Sequence, residues 1–176
     1  MKKRTGIITM KGNPISFLGK EIKVGDVAPN FTAVKKDLSP YTLRDLGDKV
    51  KLISVVPSID TGVCDLQTIH FNEEAAKLKN VTIVTISMDL PFALDRYCAA
   101  KGIDALETLS DHKEASFGIN YGFLIEELRL LARGVLVIDG DNIVRYVEYV
   151  QEVSNHPDYD KALEEAAKMD EEIQAG

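Results

Sequence analysis

The chain has 176 residues, of which 45% are hydrophobic and 28% are charged, enough for one well-buried core in a soluble globular protein. Its formal net charge of −7 disfavours binding to nucleic acids or anionic membranes, because both depend on basic patches. Two cysteines are too few for a disulfide-rich scaffold, and no stretch approaches the roughly 20 apolar residues of a membrane span.

The first four residues resemble the basic region of a signal peptide. The apolar stretch over residues 6–10 ends at Lys11 and is too short for the hydrophobic region of such a peptide. We therefore expect a cytoplasmic location and no membrane association. Because there is no internal repeat and no long polar linker, we expect residues 1–176 to form a single domain, with residues 5–24 as an N-terminal hairpin extension.

Hydrophobic periodicity predicts strands and helices in alternation through the first half of the chain. Turn-forming residues at 12–14 predict a hairpin, and an almost continuous apolar run at 50–56 predicts a strand buried on both faces. The predicted elements are a hairpin over 5–24, a short strand following Phe31, a strand over 50–56, a helix over 61–79 capped by Thr61 with Leu66, Ile69 and Ala76 on one apolar face, and a strand over Val81–Ser87.

The second half continues the alternation and ends in a hairpin and a helix. The predicted elements are a helix that opens at Pro91 and carries Cys98, a short strand near Thr108 and Leu109, a short helix over 112–117, strands over Gly134–Ile138 and 143–150, and a charged helix over 158–174. Residues 118–131 are unusually apolar for a connection, and pocket lining, a subunit contact and core packing all stay open for them. The order of elements predicts an α/β sandwich with a mixed sheet.

Cys64 lies where a buried strand turns into a helix. The first free N–H groups of that helix and its dipole point towards the sulfur, and both favour a thiolate. The alternative is that Cys64 is a small buried hydrophobe, which is the commonest environment of a free cysteine.

The spacing Pro57-x-x-x-Thr61-x-x-Cys64 resembles the active-site loop of the peroxiredoxins, which reduce hydroperoxides with a cysteine. Residues 87–93 together with Cys98, 34 residues after Cys64, are similar to the thiol peroxidase subfamily, whose disulfide forms within one chain. The resemblance covers nearly the whole chain; the other segments that carry it are the N-terminal hairpin and residues 25–31, 131–133, 137–139 and 156–160. It implies a thioredoxin-like α/β fold, with a mixed central sheet flanked by helices and an N-terminal β-hairpin.

The resemblance also implies roles for five residues. Cys64 would be the peroxidatic nucleophile and Cys98 the resolving cysteine. Thr61 would place its hydroxyl beside the sulfur, Pro57 would shield the sulfur from water, and Arg133 would supply positive charge. The residues themselves allow plainer roles: a helix cap for Thr61, a strand terminator for Pro57, a solvated surface charge for Arg133 and helix packing for Cys98.

The implied substrates are hydrogen peroxide and alkyl hydroperoxides, with thioredoxin as the reductant and a homodimer as the assembly. No cofactor is implied, and the scattered histidines at 70, 112 and 156 lack the spacing of a metal site. A redox sensor or relay that uses the same cysteine pair, and a noncatalytic interaction module, stay as alternatives. We also expect the reduced cysteines to lie too far apart for a disulfide, so that both helices unwind locally before it closes.

Overall fold

The computed structural model describes residues 3–175, apart from the side chains of Ile7 and residues 173–175. The strands are β1 Lys3–Met10, β2 Asn13–Leu18, β3 Thr32–Val34, β4 Pro40–Thr42, β5 Val50–Val55, β6 Val81–Ser87, β7 Glu107–Ser110, β8 Leu124–Ile125, β9 Leu130–Leu131, β10 Gly134–Ile138 and β11 Val144–Tyr149. The α-helices are α1 Gly62–Ala75, α2 Pro91–Lys101, α3 Ser116–Asn120 and α4 Tyr159–Ala175, and a short 3₁₀-helix spans Leu43–Leu46.

A seven-stranded mixed sheet forms the centre of the molecule, in the order β11-β10-β5-β6-β7-β3-β4. β5, β6 and β7 run parallel, and the other pairs are antiparallel. Every residue of β5 and β10 is buried, because side chains on both faces of these strands pack against other layers. This arrangement confirms the predicted α/β architecture with a mixed sheet.

The two faces of this sheet are covered differently. α1, α2 and α4 contribute to a cluster of buried side chains on one face, and that cluster contains both cysteines. On the other face, a second cluster joins the sheet to α3 and to a small sheet of order β1-β2-β8-β9. The molecule is therefore a three-layer sandwich in which the helical layer carries both thiols.

The predicted N-terminal hairpin is present, since β1 pairs antiparallel with β2. Residues 118–131, left open by the sequence, include β8 and β9, which extend this hairpin into a four-stranded sheet. Phe123, Leu124 and Leu131 are fully or almost fully buried there. Core packing is thus the role that the fold gives to most of this segment.

Two predicted helices differ from the observed ones. α1 ends at Ala75, and its predicted apolar face is wrong: Leu66 is 56% exposed and Ala76 is an exposed cap, while Gln67 and Thr68 are buried. Polar side chains face the sheet here because Gln67 forms hydrogen bonds inside the core.

The short helix predicted over 112–117 begins only at Ser116. The carboxylate of Asp111 accepts hydrogen bonds from the backbone N–H groups of Phe117 and Gly118, which holds the preceding residues in a turn. Burial raises the pKa of Asp111 to about 6, although both N–H donors favour its ionised form.

Within residues 3–175, no helix has the length and apolar character needed to cross a membrane.

Candidate active site

Cys64 lies in the first turn of α1 and is completely buried. Thr61 caps the helix, with its hydroxyl oxygen accepting a hydrogen bond from the Cys64 N–H at 3.4 Å. The same hydroxyl donates to the carbonyl of Ser58 at 3.3 Å. Thr61 therefore braces the turn that presents the thiol, and its own proton is directed to Ser58 rather than to the sulfur.

Arg133 brings a cation to this thiol from the other side. It immediately precedes β10, is only 2% exposed, and places Nη2 at 3.1 Å from Cys64 Sγ. Its Nε donates to the carbonyl of Val153 at 2.6 Å. A solvated surface charge is thus the wrong description of Arg133. A guanidinium in contact with sulfur in a water-poor interior attracts the thiolate far more strongly than it does in water.

Gln67 is a site residue that the sequence reasoning missed. Its side chain is fully buried and bridges two groups: Nε2 donates to Ser54 Oγ at 2.8 Å, and Oε1 accepts from Arg133 Nη1 at 3.0 Å. Gln67 follows Cys64 by three residues, so both lie on the same face of α1. The sequence signal that could have identified Gln67 is a polar residue three positions after the cysteine, on the same face of the helix.

The guanidinium of Arg133 has no carboxylate partner among residues 3–175. The ion pairs described there involve other residues, and the three acceptors of Arg133 are Val153 O, Gln67 Oε1 and Cys64 Sγ. A buried cation normally requires an anion nearby. The arrangement is therefore suited to hold Cys64 as a thiolate.

A pocket of about 250 Å³ opens beside this cluster, with mainly apolar walls. Its lining residues are Met10, Lys11, Pro57, Thr61, Gly62, Val63, Arg133, Val153 and Ser154. Three of the five residues predicted for the site, Pro57, Thr61 and Arg133, thus share one pocket, and the tip of the N-terminal hairpin forms part of its wall. A small molecule with an alkyl group fits such a space better than a highly polar one.

The loop over residues 57–61 is tied to the segment before α2 by Asp89. The carboxylate of Asp89 accepts hydrogen bonds from Ser58 Oγ at 2.7 Å, from the Ile59 N–H at 2.9 Å and from Ser87 Oγ at 2.7 Å. The sequence pointed to this segment without giving Asp89 a role. Asp89 fixes the path of the loop that supplies Pro57 and Thr61 to the pocket.

Cys98 lies on α2, is 4% exposed, and has its sulfur 3.5 Å from Thr108 Oγ1 on β7. Both cysteines are free thiols. The structure thus places Cys98 in the same helical layer as Cys64, with a different contact for each sulfur.

Two of the three histidines pack against or bind the side chain of Tyr159. His70 packs against the ring of Tyr159 with centroids 4.6 Å apart, and His156 Nδ1 forms a 2.7 Å hydrogen bond with the Tyr159 hydroxyl. Burial raises the pKa of Tyr159 to about 12, so this phenol stays neutral at physiological pH. Over the described part of the chain, no group of three or more His, Cys, Asp and Glu side chains is arranged to hold a metal ion.

Comparison with protein families matches residues 23–163 to the Redoxin family. The chain is 63% identical over 159 residues to the thiol peroxidase of Halalkalibacterium halodurans, covering 90% of this chain and 96% of that protein. It is 57% identical over 162 residues to the thiol peroxidase of Bacillus subtilis, covering 92% and 97%.

Solved structures give the same picture. A peroxiredoxin-like protein from Aquifex aeolicus superimposes with a TM-score of 0.87 at 37% identity, covering 94% of this chain and 98% of the other. A thiol peroxidase from Chromobacterium violaceum superimposes with a TM-score of 0.82 at 22% identity, covering 96% and 98%, which supports the fold alone.

Proposed function

This chain belongs to the redoxin family and is a peroxidase of the thiol peroxidase type with a thioredoxin-like fold, and on that premise we propose that Cys64 is its peroxidatic residue. The observation that carries the proposal is the 3.1 Å contact between Cys64 Sγ and the buried guanidinium of Arg133. A thiolate is the nucleophilic form of cysteine, and a cation at this distance stabilises it.

In the first step, the Cys64 thiolate attacks the terminal oxygen of a hydroperoxide. The S–O bond forms as the O–O bond breaks, and the departing alkoxide or hydroxide takes up a proton to leave as alcohol or water. Arg133 stabilises the negative charge that moves from sulfur to the leaving oxygen. Thr61 holds the turn in place, and Pro57 restricts the entry of water to the pocket.

In the second step, the Cys98 thiol attacks the Cys64 sulfenic acid, so that an intramolecular disulfide forms and water leaves. A dithiol then reduces this disulfide and becomes a disulfide itself. We propose thioredoxin as that dithiol, because the thiol peroxidase family implies a reductant of this type. No metal or organic cofactor takes part in these steps.

The mainly apolar pocket supports alkyl hydroperoxides as substrates beside hydrogen peroxide. We propose further that the chain works as one domain, that it assembles as a homodimer, and that it acts in the cytoplasm, where dithiol reductants keep cysteines reduced. Gel filtration coupled to light scattering tests the dimer; a monomeric mass at micromolar concentration would contradict it.

Intact mass after one equivalent of peroxide tests the roles of the two cysteines. We expect the reduced protein to lose two hydrogens without linking two chains, and Cys98→Ser to gain one oxygen. An added oxygen on the unmodified protein, or a covalent dimer, would contradict the proposal that Cys98 forms a disulfide with Cys64 within one chain. Failure of both proteins to react would contradict the role of Cys64.

Turnover separates the enzyme from a redox sensor that uses the same cysteines. With reduced thioredoxin in excess, we expect one molecule of protein to consume many molecules of peroxide. Consumption of about one equivalent would instead indicate a sensor or relay.

A further inference from the structure

The two cysteine-bearing helices are joined by hydrogen bonds between the residues that adjoin Cys64 and Cys98 in sequence. Tyr97 Oη donates to Asp65 Oδ1 at 2.7 Å. Asp65 follows Cys64 on α1, and Tyr97 precedes Cys98 on α2. We propose that this pair, the Asp65–Tyr97 latch, holds the helices in their reduced arrangement and is broken when the disulfide forms. The proposal rests on the Cys64–Cys98 disulfide proposed above.

The latch matters because each sulfur is held at a different part of the central sheet. Cys64 Sγ contacts Arg133, which precedes β10, and Cys98 Sγ contacts Thr108 on β7. β5 and β6 lie between these two strands, so the backbones of β10 and β7 are about 14 Å apart. A disulfide needs its sulfurs about 2 Å apart. We infer that one or both helices move before the bond closes, because each sulfur has to leave the contact that it makes in the reduced state.

The other polar contacts of these helices do not oppose this movement in the same way. Lys101 Nζ lies 3.5 Å from Asp65 Oδ2, but the side chain of Lys101 is 47% exposed and the pair is screened by water. Asn72 Oδ1 accepts from the Ala105 N–H at 2.9 Å, two turns further along α1 than Cys64, so it can persist while the first turn opens. The hydrogen bond from Tyr97 differs from these two, because Tyr97 is largely buried and its acceptor lies in the first turn of α1.

The latch has a thermodynamic consequence that can be measured. A contact that exists in the dithiol state and is lost in the disulfide state stabilises the dithiol, and so makes the disulfide easier to reduce. Tyr97→Phe keeps the ring and removes the hydroxyl. We expect it to shift the redox equilibrium towards the disulfide about tenfold, which is about 30 mV to a more reducing potential. A residue that only supports the fold is intact in both states and leaves the potential unchanged.

The test is a redox titration of the full chain against a thioredoxin couple, with the disulfide quantified by intact mass. Tyr121→Phe is the matched control, since this buried tyrosine donates to the Pro29 carbonyl at 2.6 Å, away from both cysteine helices. We expect the tenfold shift in Tyr97→Phe and an unchanged potential in Tyr121→Phe. Equal potentials for Tyr97→Phe and the unmodified protein, or equal shifts in both variants, would overturn the latch.

Asp65→Asn gives a second, conservative variant. It keeps an acceptor for Tyr97 and weakens the pairing with Lys101, so its shift should be smaller than that of Tyr97→Phe. A shift as large in Asp65→Asn would assign the effect to the ion pair and contradict the proposal. If the unmodified protein forms no intrachain disulfide, the proposed role of Cys98 fails together with the latch, whereas a normal disulfide with no effect of Tyr97→Phe removes the latch alone.

Discussion

Gln67 should control how fast Cys64 reacts, although it does not touch the sulfur. Gln67→Leu removes the acceptor that lies 3.0 Å from Arg133 Nη1 and replaces it with an apolar group of similar size. A buried, charged N–H that loses its partner costs about 1.5–3 kcal/mol. The guanidinium is then drawn towards other acceptors and away from Cys64.

Because Arg133 is then less well placed to stabilise the leaving oxygen, we expect the oxidation of Cys64 to slow by about tenfold, which corresponds to 1.36 kcal/mol of activation free energy. The assay is the second-order rate of thiol loss with hydrogen peroxide, measured by stopped flow in a Cys98→Ser background so that only one thiol reacts. Urea unfolding of the same proteins should show a decrease of about 1.5–3 kcal/mol in the free energy of unfolding.

Gln67→Glu is the matched control. Glutamate restores the acceptor for Arg133 but not the Nε2 donor to Ser54 Oγ, so the unfolding free energy should recover only in part. Its negative charge competes with the thiolate for the guanidinium, so the rate should stay low. If Gln67→Leu is destabilised yet reacts at the unmodified rate, Gln67 does not position Arg133 for the chemistry, and the reasoning is refuted.

Three further changes have definite expected outcomes. Because the pKa of Asp111 is about 6 when folded and 3.8 in the unfolded chain, the folded state holds its proton more tightly, and the free energy of unfolding should fall by about 2 kcal/mol as pH rises from 4 to above 6. Urea titrations across this range should show a smaller fall in Asp111→Asn, and an equal fall in both proteins would contradict the prediction. Thr61→Val should cost about 1 kcal/mol of stability through the lost cap while Thr61→Ser costs less, and equal losses in urea unfolding would argue against capping. The amide nitrogen of Asp89→Asn cannot accept the hydrogen bond from the Ile59 N–H, so this variant should have a looser loop. We expect Cys64 oxidation to slow about tenfold, a difference of 1.36 kcal/mol in activation free energy. An unchanged stopped-flow rate would show that the loop keeps its place without this bond.

The buried strands were the part of the fold that the sequence could predict. β5, β6 and β10 lie between two layers, and a strand covered on both faces needs a nearly continuous apolar run, which is visible locally. β8 and β9 have two residues each and exist because β8 pairs with β2 on one side and with β9 on the other. No local pattern of that length distinguishes a strand from a loop.

The candidate site was predictable to a different degree at each position. Pro57, Thr61 and Cys64 are close in sequence, so their spacing alone indicated a common loop. Gln67 was missed because its burial depends on Arg133, 66 residues away, and a glutamine in an isolated helix is expected to face solvent. The predicted apolar face of α1 failed for the same reason: the helix buries polar groups whose partners come from the sheet.

The burial of Arg133 ties the stability of the protein to the oxidation state of one sulfur. The partners of the guanidinium are two neutral oxygens and Cys64 Sγ, so the thiolate of the proposed mechanism would be the anion in contact with it. Conversion of that thiolate to a sulfenic acid or a disulfide removes the negative charge and leaves the cation buried alone, and breaking a buried ion pair in this way typically costs about 3–5 kcal/mol. In the proposed mechanism, oxidation would therefore weaken the turn that opens for Cys98, and reduction would restore the charge that favours its closed form. We therefore expect each catalytic cycle to include one local opening and one reclosing of this turn, coupled to the loss and return of the charge on Cys64.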